Sequence, residues 1–103
     1  MIDIGHDFTR YPAGRFRTDG KFSGQRFREE WLAPALREGK RLVILLDGTL
    51  GYGSSFLEEA FGGLIRNEGF SRRIVLDNLQ FVSSDTSLTT EIKSYIENAA
   101  TVN

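Results

Sequence analysis

The chain has 103 residues, of which 40% are hydrophobic and 26% charged, enough for one globular domain with a modest core. Its formal net charge of −1 argues against a general nucleic-acid binder, which would carry a clustered excess of Lys and Arg. The absence of cysteine excludes disulfides, thiol chemistry and cysteine-ligated metal sites. We therefore predict a single domain over residues 1–103.

No segment predicts contact with a membrane or export. The longest apolar run, residues 42–46, is far too short to span a bilayer. The first residues, Met1 to Ile4, contain neither a basic leader nor an apolar signal segment. The expected location is therefore the cytoplasm.

The N-terminal part begins with an alternation of apolar and polar residues from Ile2 to Phe8, which predicts a half-buried strand. Prolines and glycines in residues 10–24 then predict a structured loop or short hairpin. Residues 10–28 also contain six basic side chains against one acidic residue, Asp19. This local positive charge indicates either a solvated surface loop, the simpler interpretation, or an anion site. The basic residues are Arg10, Arg15, Arg17, Lys21, Arg26 and Arg28.

A first helix should follow this loop. Ser23 is a suitable N-cap, and Phe27, Trp31 and Ala35 recur every four residues as a stripe facing the core. Pro34 lacks an N–H group and should kink or restart this helix.

The central strand is predicted at residues 42–47, Leu-Val-Ile-Leu-Leu-Asp. An unbroken apolar run of this length is typical of a strand buried on both faces of a sheet. Ligands and partners of α/β sheets bind at the loops that leave the carboxyl ends of the strands. We therefore expect the interaction surface at residues 47–55.

A second helix is predicted over residues 55–68. Ser55 and Glu58 form the S-x-x-E pattern of a capping box. Gly62 and Gly63 would weaken an exposed helix, so we expect them to lie against the sheet or another backbone. The wide apolar face of this helix consists of Phe56, Leu57, Ala60, Phe61, Leu64 and Ile65.

The last third of the chain predicts a short helix over residues 72–78 capped by Ser71, and then a second, less buried strand from Leu79 to Ser84. Asp85 or Thr86 should begin a final helix. Its apolar stripe comprises Leu88, Ile92, Tyr95, Ile96 and Ala99.

Candidate catalytic groups do not form a recognisable constellation. His6 is the single histidine and falls within the first strand pattern, while Ser54 and Ser55 do not match G-x-S-x-G. The glycine-rich loop before them lacks the lysine of a phosphate-binding P-loop. The acidic candidates match no calcium or magnesium loop: Asp47, Glu58 and Glu59. We predict that the protein is not an enzyme and has no metal or cofactor.

Two segments resemble a known family. Residues 12–30, PAGRFRTDGKFSGQRFREE, are similar to the first signature of the STAS-like family DUF4325, and residues 53–64, GSSFLEEAFGGL, are similar to its second. The resemblance implies an α/β fold in which a small mixed sheet with a central buried strand is backed by helices. This is the architecture of bacterial anti-sigma factor antagonists.

The resemblance also implies a site. In those antagonists a partner kinase phosphorylates a serine at the start of the helix after the central strand, and the phosphate switches partner binding. Ser54 and Ser55 occupy the matching place, so Ser54 is a candidate phosphorylation site and Ser55 the candidate cap. The chain departs from the antagonist pattern at Gly53, where an Asp is usual, and at Phe56, where a Gly is usual.

The favoured function is a non-enzymatic regulatory or adaptor module that binds a protein, of the anti-sigma ATPase or kinase class, through residues 47–55 and the second helix. The alternative is a sensor of a small anion, or a cryptic enzyme, that uses the arginine-rich first loop. Association into a homo-oligomer is left open. We expect the first loop to place Arg15 and Arg17 beside Ser54 and Glu58. The candidate partner- or anion-binding residues are Arg15, Arg17, Asp19, Asp47, Ser54, Ser55 and Glu58.

Overall fold

The computed structural model describes residues 1–101; residues 102 and 103, which the single-domain prediction includes, lie outside the described part. In the described residues a three-stranded sheet has the order β1-β2-β3, with β1 at Ile2–Asp3, β2 at Leu42–Leu45 and β3 at Leu79–Val82. The predicted α/β class and central strand are confirmed. The strands are all parallel rather than mixed, because each reaches the next through helical connections.

Two long helices connect the strands, and each contains a π-helical turn. The first helix consists of α1 (Gly24–Phe27), a π turn (Arg28–Leu32) and α2 (Ala33–Arg37). The second helix consists of α3 (Ser54–Leu57), a π turn (Glu58–Gly62) and α4 (Gly63–Arg66). The remaining helical elements are a π turn at Ile4–Phe8, a 3-10 turn at Arg17–Asp19, α5 (Arg72–Asn78) and α6 (Thr86–Asn98).

The predicted first strand is wrong beyond Asp3. The chain turns into the π turn at Ile4, since the N–H of Thr9 donates to the carbonyl of Ile4 at 2.8 Å. Gly5 lets this turn lie close to the loop after β2, because a Cβ there would collide with the backbone of Gly48. The alternating pattern therefore describes only the start of the segment.

The core-facing stripe of the first helix is shifted by one residue. Phe27 is fully buried as predicted, but Trp31 and Ala35 are half-buried, and Leu32 and Leu36 take the core positions. The π turn that precedes Pro34 accounts for this, since it inserts one extra residue and rotates the rest of the helix.

Helices pack against one face of the sheet. Phe61 of the second helix lies 5.4 Å, ring centre to ring centre, from Phe81 of β3, and both face the same side as Ile44. Because the strand order is β1-β2-β3, the connections from β1 to β2 and from β2 to β3 both move across the sheet in the same direction. Connections between parallel strands are nearly always right-handed, so the helices of both connections lie on the same face of the sheet. The expectation of burial on both faces is therefore wrong: Val43 and Leu45 are only half-buried on the other face.

Most predicted helix caps are confirmed. Ser23 accepts from the N–H of Arg26 at 3.2 Å, Ser71 from Ile74 at 3.1 Å, and Asp85 from Ser87 and Leu88. The predicted Ser55 cap is wrong, because the second helix begins at Ser54 with Gly53 as its N-cap. The helix ends at Arg66 rather than residue 68.

The second helix packs as predicted, with four of its apolar side chains fully buried: Phe56, Ala60, Phe61 and Leu64. Gly63 is closely packed, but its neighbour is the guanidinium of Arg28 rather than the sheet. A Cβ at Gly62 would meet the carboxylate of Glu58 at 2.5 Å and the carbonyl of Tyr95 in α6 at 3.3 Å. A third close approach was missed in the sequence: Gly24 brings the first helix against the backbone of Phe56.

Candidate functional site

Arg15 attaches the first loop to the second helix. Its guanidinium donates to Glu58 and, at 3.2 Å, to Glu59. Arg66 binds Glu58 from the other side at 2.8 Å. Burial of Glu58 would raise its pKa, but the hydrogen bonds from Arg66 and Arg15 outweigh this and leave the pKa lowered. The loop is therefore ordered on the second helix, as predicted.

A buried ion pair joins the two long helices beneath this contact. Arg28 and Glu59 are each only 2% exposed, and Arg28 Nη1 lies 2.5 Å from Glu59 Oε2. Arg28 Nε also donates to Glu68 at 2.9 Å. Every charge in this cluster has a partner of opposite sign, which is the condition for burying it without a large penalty. The cluster is a structural element of the helix interface.

Arg17 does not join this cluster. Its Nε lies 3.0 Å from Glu29, and its Nη1 lies 3.2 Å from Glu30, both on the first helix. Asp19 accepts from the N–H of Phe16 at 2.8 Å and closes the 3-10 turn. Of the two arginines expected beside Glu58, the structure places only Arg15 there.

A cleft of about 410 Å³ opens at the carboxyl end of the sheet. Asp47, directly after β2, forms one wall, and its carboxylate accepts from Ser83 Oγ at 2.6 Å and from the N–H of Ser84 at 2.8 Å. These hydrogen bonds lower the pKa of Asp47. Tyr52 also lines the cleft, and its hydroxyl donates to the carbonyl of Leu46 at 2.7 Å. Burial raises the pKa of Tyr52 to about 12. The lining residues are Leu46, Asp47, Thr49, Gly51, Tyr52, Leu57, Ser84, Asp85, Ser87, Leu88 and Glu91.

The cleft carries negative charge that its own lining does not neutralise. Asp85 accepts from Ser87, and Glu91 accepts from the hydroxyl of Tyr95 at 2.6 Å. Within residues 1–101 neither these carboxylates nor Asp47 forms an ion pair, and none of the lining side chains is Lys or Arg. The cleft is therefore suited to a cationic group.

Asp85 and Glu91 were not predicted as site residues. The sequence contained a signal for both residues, namely their position after the second predicted strand. Parallel strands end at the same edge of a sheet, so the segment that follows β3 lies beside residues 47–55, which follow β2. Only the loop after the central strand was considered. The prediction from the sequence thus found one of the two walls of the cleft.

Ser54 and Ser55 lie exposed at the start of the second helix, beyond the loop that borders the cleft. Leu50 in that loop is 68% exposed. The contact of the His6 ring is with its chain neighbour: Nδ1 of His6 lies 2.9 Å from Oδ1 of Asp7. The hydrogen bond with this carboxylate raises the pKa of the imidazole. In the described part of the chain neither serine is hydrogen-bonded to His6.

A second, shallower cleft lies beside the first loop and is lined by Arg17, Gly20, Lys21, Arg26 and Glu30. Its two arginines both bind Glu30, at 3.2 Å each. Arg26 also lies over the ring of Phe22, 5.4 Å from its centre. Both arginines of this cleft therefore share one carboxylate, while Lys21 forms no ion pair within residues 1–101.

In a comparison with known protein families, the model for the STAS-like domain of unknown function (DUF4325) matches residues 23–87. The chain belongs to this STAS-like family. Neither curated proteins nor solved structures gave a match.

The matched part of this STAS-like domain contains Asp47 and Asp85 of the acidic cleft as well as the two serines, whereas Leu88 and Glu91 of the cleft lie after it. Arg15, Arg17 and Asp19 lie before it. Among residues 1–101 no helix is both long and apolar enough to cross a membrane, and no group of three or more His, Cys, Asp or Glu side chains could hold a metal ion.

Proposed function

We infer that this STAS-like domain is a non-enzymatic regulatory or adaptor module that binds another protein at the carboxyl end of its sheet. The surface consists of residues 47–55, the start of the second helix and the acidic cleft. An ATPase or kinase of the anti-sigma type is the partner class that the family resemblance favours.

The acidic cleft beside an exposed apolar loop is the observation that carries this proposal. Leu50 presents an apolar side chain to solvent, and its chain neighbours Thr49 and Gly51 line the cleft, whose carboxylates form no ion pair within residues 1–101. Apolar contact beside complementary charge is the usual composition of a specific protein interface. The partner should therefore present an apolar patch next to a Lys or Arg side chain that enters the cleft.

The contacts of the candidate catalytic groups favour binding over catalysis. His6 pairs with Asp7, and the exposed serines of the second helix have no base bonded to them in residues 1–101. A nucleophile needs such a base within hydrogen-bond reach.

The test is a binding titration with the partner recovered from the native host by affinity purification. Leu50→Ser and Glu91→Gln should each weaken binding at least about tenfold, which corresponds to about 1.4 kcal/mol. Ile74→Ser is the matched control, because Ile74 is also an exposed apolar residue but lies on α5. Equal affinity for wild type and Leu50→Ser would refute the proposal.

Sensing of a small anion by the first loop is the second candidate, and the shallow basic cleft is the observation that favours it. Glu30 competes there for both arginines, so we rank this function lower. A thermal-shift screen with inorganic phosphate and phosphorylated metabolites distinguishes the two, because specific binding raises the melting temperature. A rise that is lost in Arg26→Ala would favour the anion sensor.

A further inference from the structure

The two edges of the sheet differ in how they are protected. At the β1 edge the strand is only two residues long, and the N–H of Asp3 is capped by the carboxylate of Asp7 at 2.8 Å. Short strands and charged side chains are the usual means of preventing an edge from pairing with another chain. The β3 edge has neither: Leu79–Val82 has four residues, and none of them is charged or proline.

The hydrogen bonds of β3 show which of its backbone groups face outward. The carbonyl of Val82 accepts from the N–H of Leu46, so Val82 and Gln80 direct their backbone groups toward the central strand. Because backbone groups alternate along a strand, those of Leu79 and Phe81 point away from the sheet. The N–H of Leu79 is used by the carbonyl of Val75 at the end of α5. The outward groups without a backbone partner among residues 1–101 are the carbonyl of Leu79 and both the N–H and the carbonyl of Phe81 and of Ser83.

We propose that β3 pairs with β3 of a second copy of this chain, antiparallel about a two-fold axis at Phe81. The two Phe81 residues then exchange both of their backbone hydrogen bonds. Ser83 of each copy donates its N–H to the carbonyl of Leu79 in the other. Four free groups of each edge thereby meet their complements. The carbonyl of Ser83 is left without a donor, because the N–H of Leu79 that it faces is already bonded to Val75.

The side chains of the strand favour a second copy as the occupant. In this register the two-fold axis gives two equivalent pairs in which Gln80 of one copy lies opposite Val82 of the other. Both pairs lie on the face of the sheet that the helices do not cover, where Val82 is 44% exposed in the single chain. No like charges oppose each other, because residues 79–83 carry none. The half-buried Phe81 rings meet on the helical face and cover one another. The contact between the two copies involves only the strand segment of residues 79–83, so the dimer should be weak and its population should rise with protein concentration.

The test uses analytical ultracentrifugation from micromolar to millimolar concentration with two double variants. In Gln80→Lys/Val82→Lys each cross-strand pair becomes Lys opposite Lys, whereas Gln80→Glu/Val82→Lys places Glu opposite Lys. Both variants alter exposed positions equally. We expect wild type and the Glu/Lys variant to rise from the 11.6 kDa monomer toward the dimer mass, and the Lys/Lys variant to remain monomeric.

Amide hydrogen exchange provides the second measurement. In wild type the amides of Phe81 and Ser83 should exchange more slowly as concentration rises, while Leu79 should not change, since its N–H is already bonded within the chain. A monomeric wild type at millimolar concentration would overturn the proposal. So would a dimer of equal stability in all three proteins, because another surface would then hold it together.

Discussion

Gly24 provides the sharpest test of how the two long helices pack. A methyl group at this position would lie well within 3.0 Å of the carbonyl oxygen of Phe56 and 3.1 Å from the N atom of Ala60. The oxygen of Phe56 and the nitrogen of Ala60 are both backbone atoms, so no side-chain rotation can relieve the collision. Gly24→Ala should therefore force the helices apart.

The expected loss follows from two opposing effects. Alanine improves helix propensity by up to about 1 kcal/mol, whereas overpacking at rigid contacts costs about 1–3 kcal/mol and sometimes more. Because the collision is with backbone, we take the upper end of that cost and expect a net loss of about 2 kcal/mol. For a domain of this size that lowers the melting temperature by about 8–16 °C.

Urea unfolding followed by circular dichroism, together with a thermal scan, measures this loss. Gly20→Ala is the control, since Gly20 has an extended φ of 164° and nothing lies within 4 Å of its hypothetical methyl. It should stay within about 0.5 kcal/mol of wild type. If Gly24→Ala matched Gly20→Ala, the close packing of the helices would be refuted.

Three further predictions concern the charged side chains of the helix interface. Arg28→Met should lower the free energy of unfolding in urea by about 3 kcal/mol, because it leaves Glu59 buried without its main partner. Adding Glu59→Met should restore part of this loss. An Arg28→Met variant as stable as wild type would contradict the buried pair. Arg15→Ala should cost about 1 kcal/mol and Arg17→Ala clearly less, since the ion pairs of Arg17 are more exposed; the reverse order would contradict the placement of Arg15. The lowered pKa of Glu58 means that its stabilisation is present above the unfolded pKa of about 4.3 and is lost as pH falls through the folded value. Glu58→Gln should therefore flatten the acid limb of a stability–pH curve below about pH 4, and an unchanged limb would rule this out.

Local signals in the sequence predicted the local structure well. Ser23 and Ser71 were predicted as caps, and Asp85 or Thr86 as the start of α6, because a side-chain oxygen just before an apolar periodic segment has one main structural use; the structure selects Asp85. Ser55 and Glu58 matched the same pattern and were wrong as a capping box. Glu58 is instead engaged by Arg15 across more than forty positions, and local spacing cannot reveal that competition.

Features that depend on the three-dimensional arrangement were less predictable. The apolar run of β2 indicated burial but not how many faces are covered, which depends on the order of the strands. The π turn at Arg28–Leu32 shifted the core stripe by one residue without a clear pattern of its own. In the candidate site, Asp47 followed from its place after the central strand, whereas Glu91 required knowing that α6 returns to the same edge.

The two proposed surfaces meet at Ser83. Its Oγ donates to Asp47 in the wall of the acidic cleft, while its N–H faces the unpaired edge of β3. Pairing of two β3 strands would engage that N–H and so fix the backbone at Ser83 and Ser84, both of which hold the carboxylate of Asp47. A cleft with a fixed wall loses less conformational entropy when a cationic side chain enters it. Self-association at β3 should therefore strengthen binding of the partner rather than compete with it.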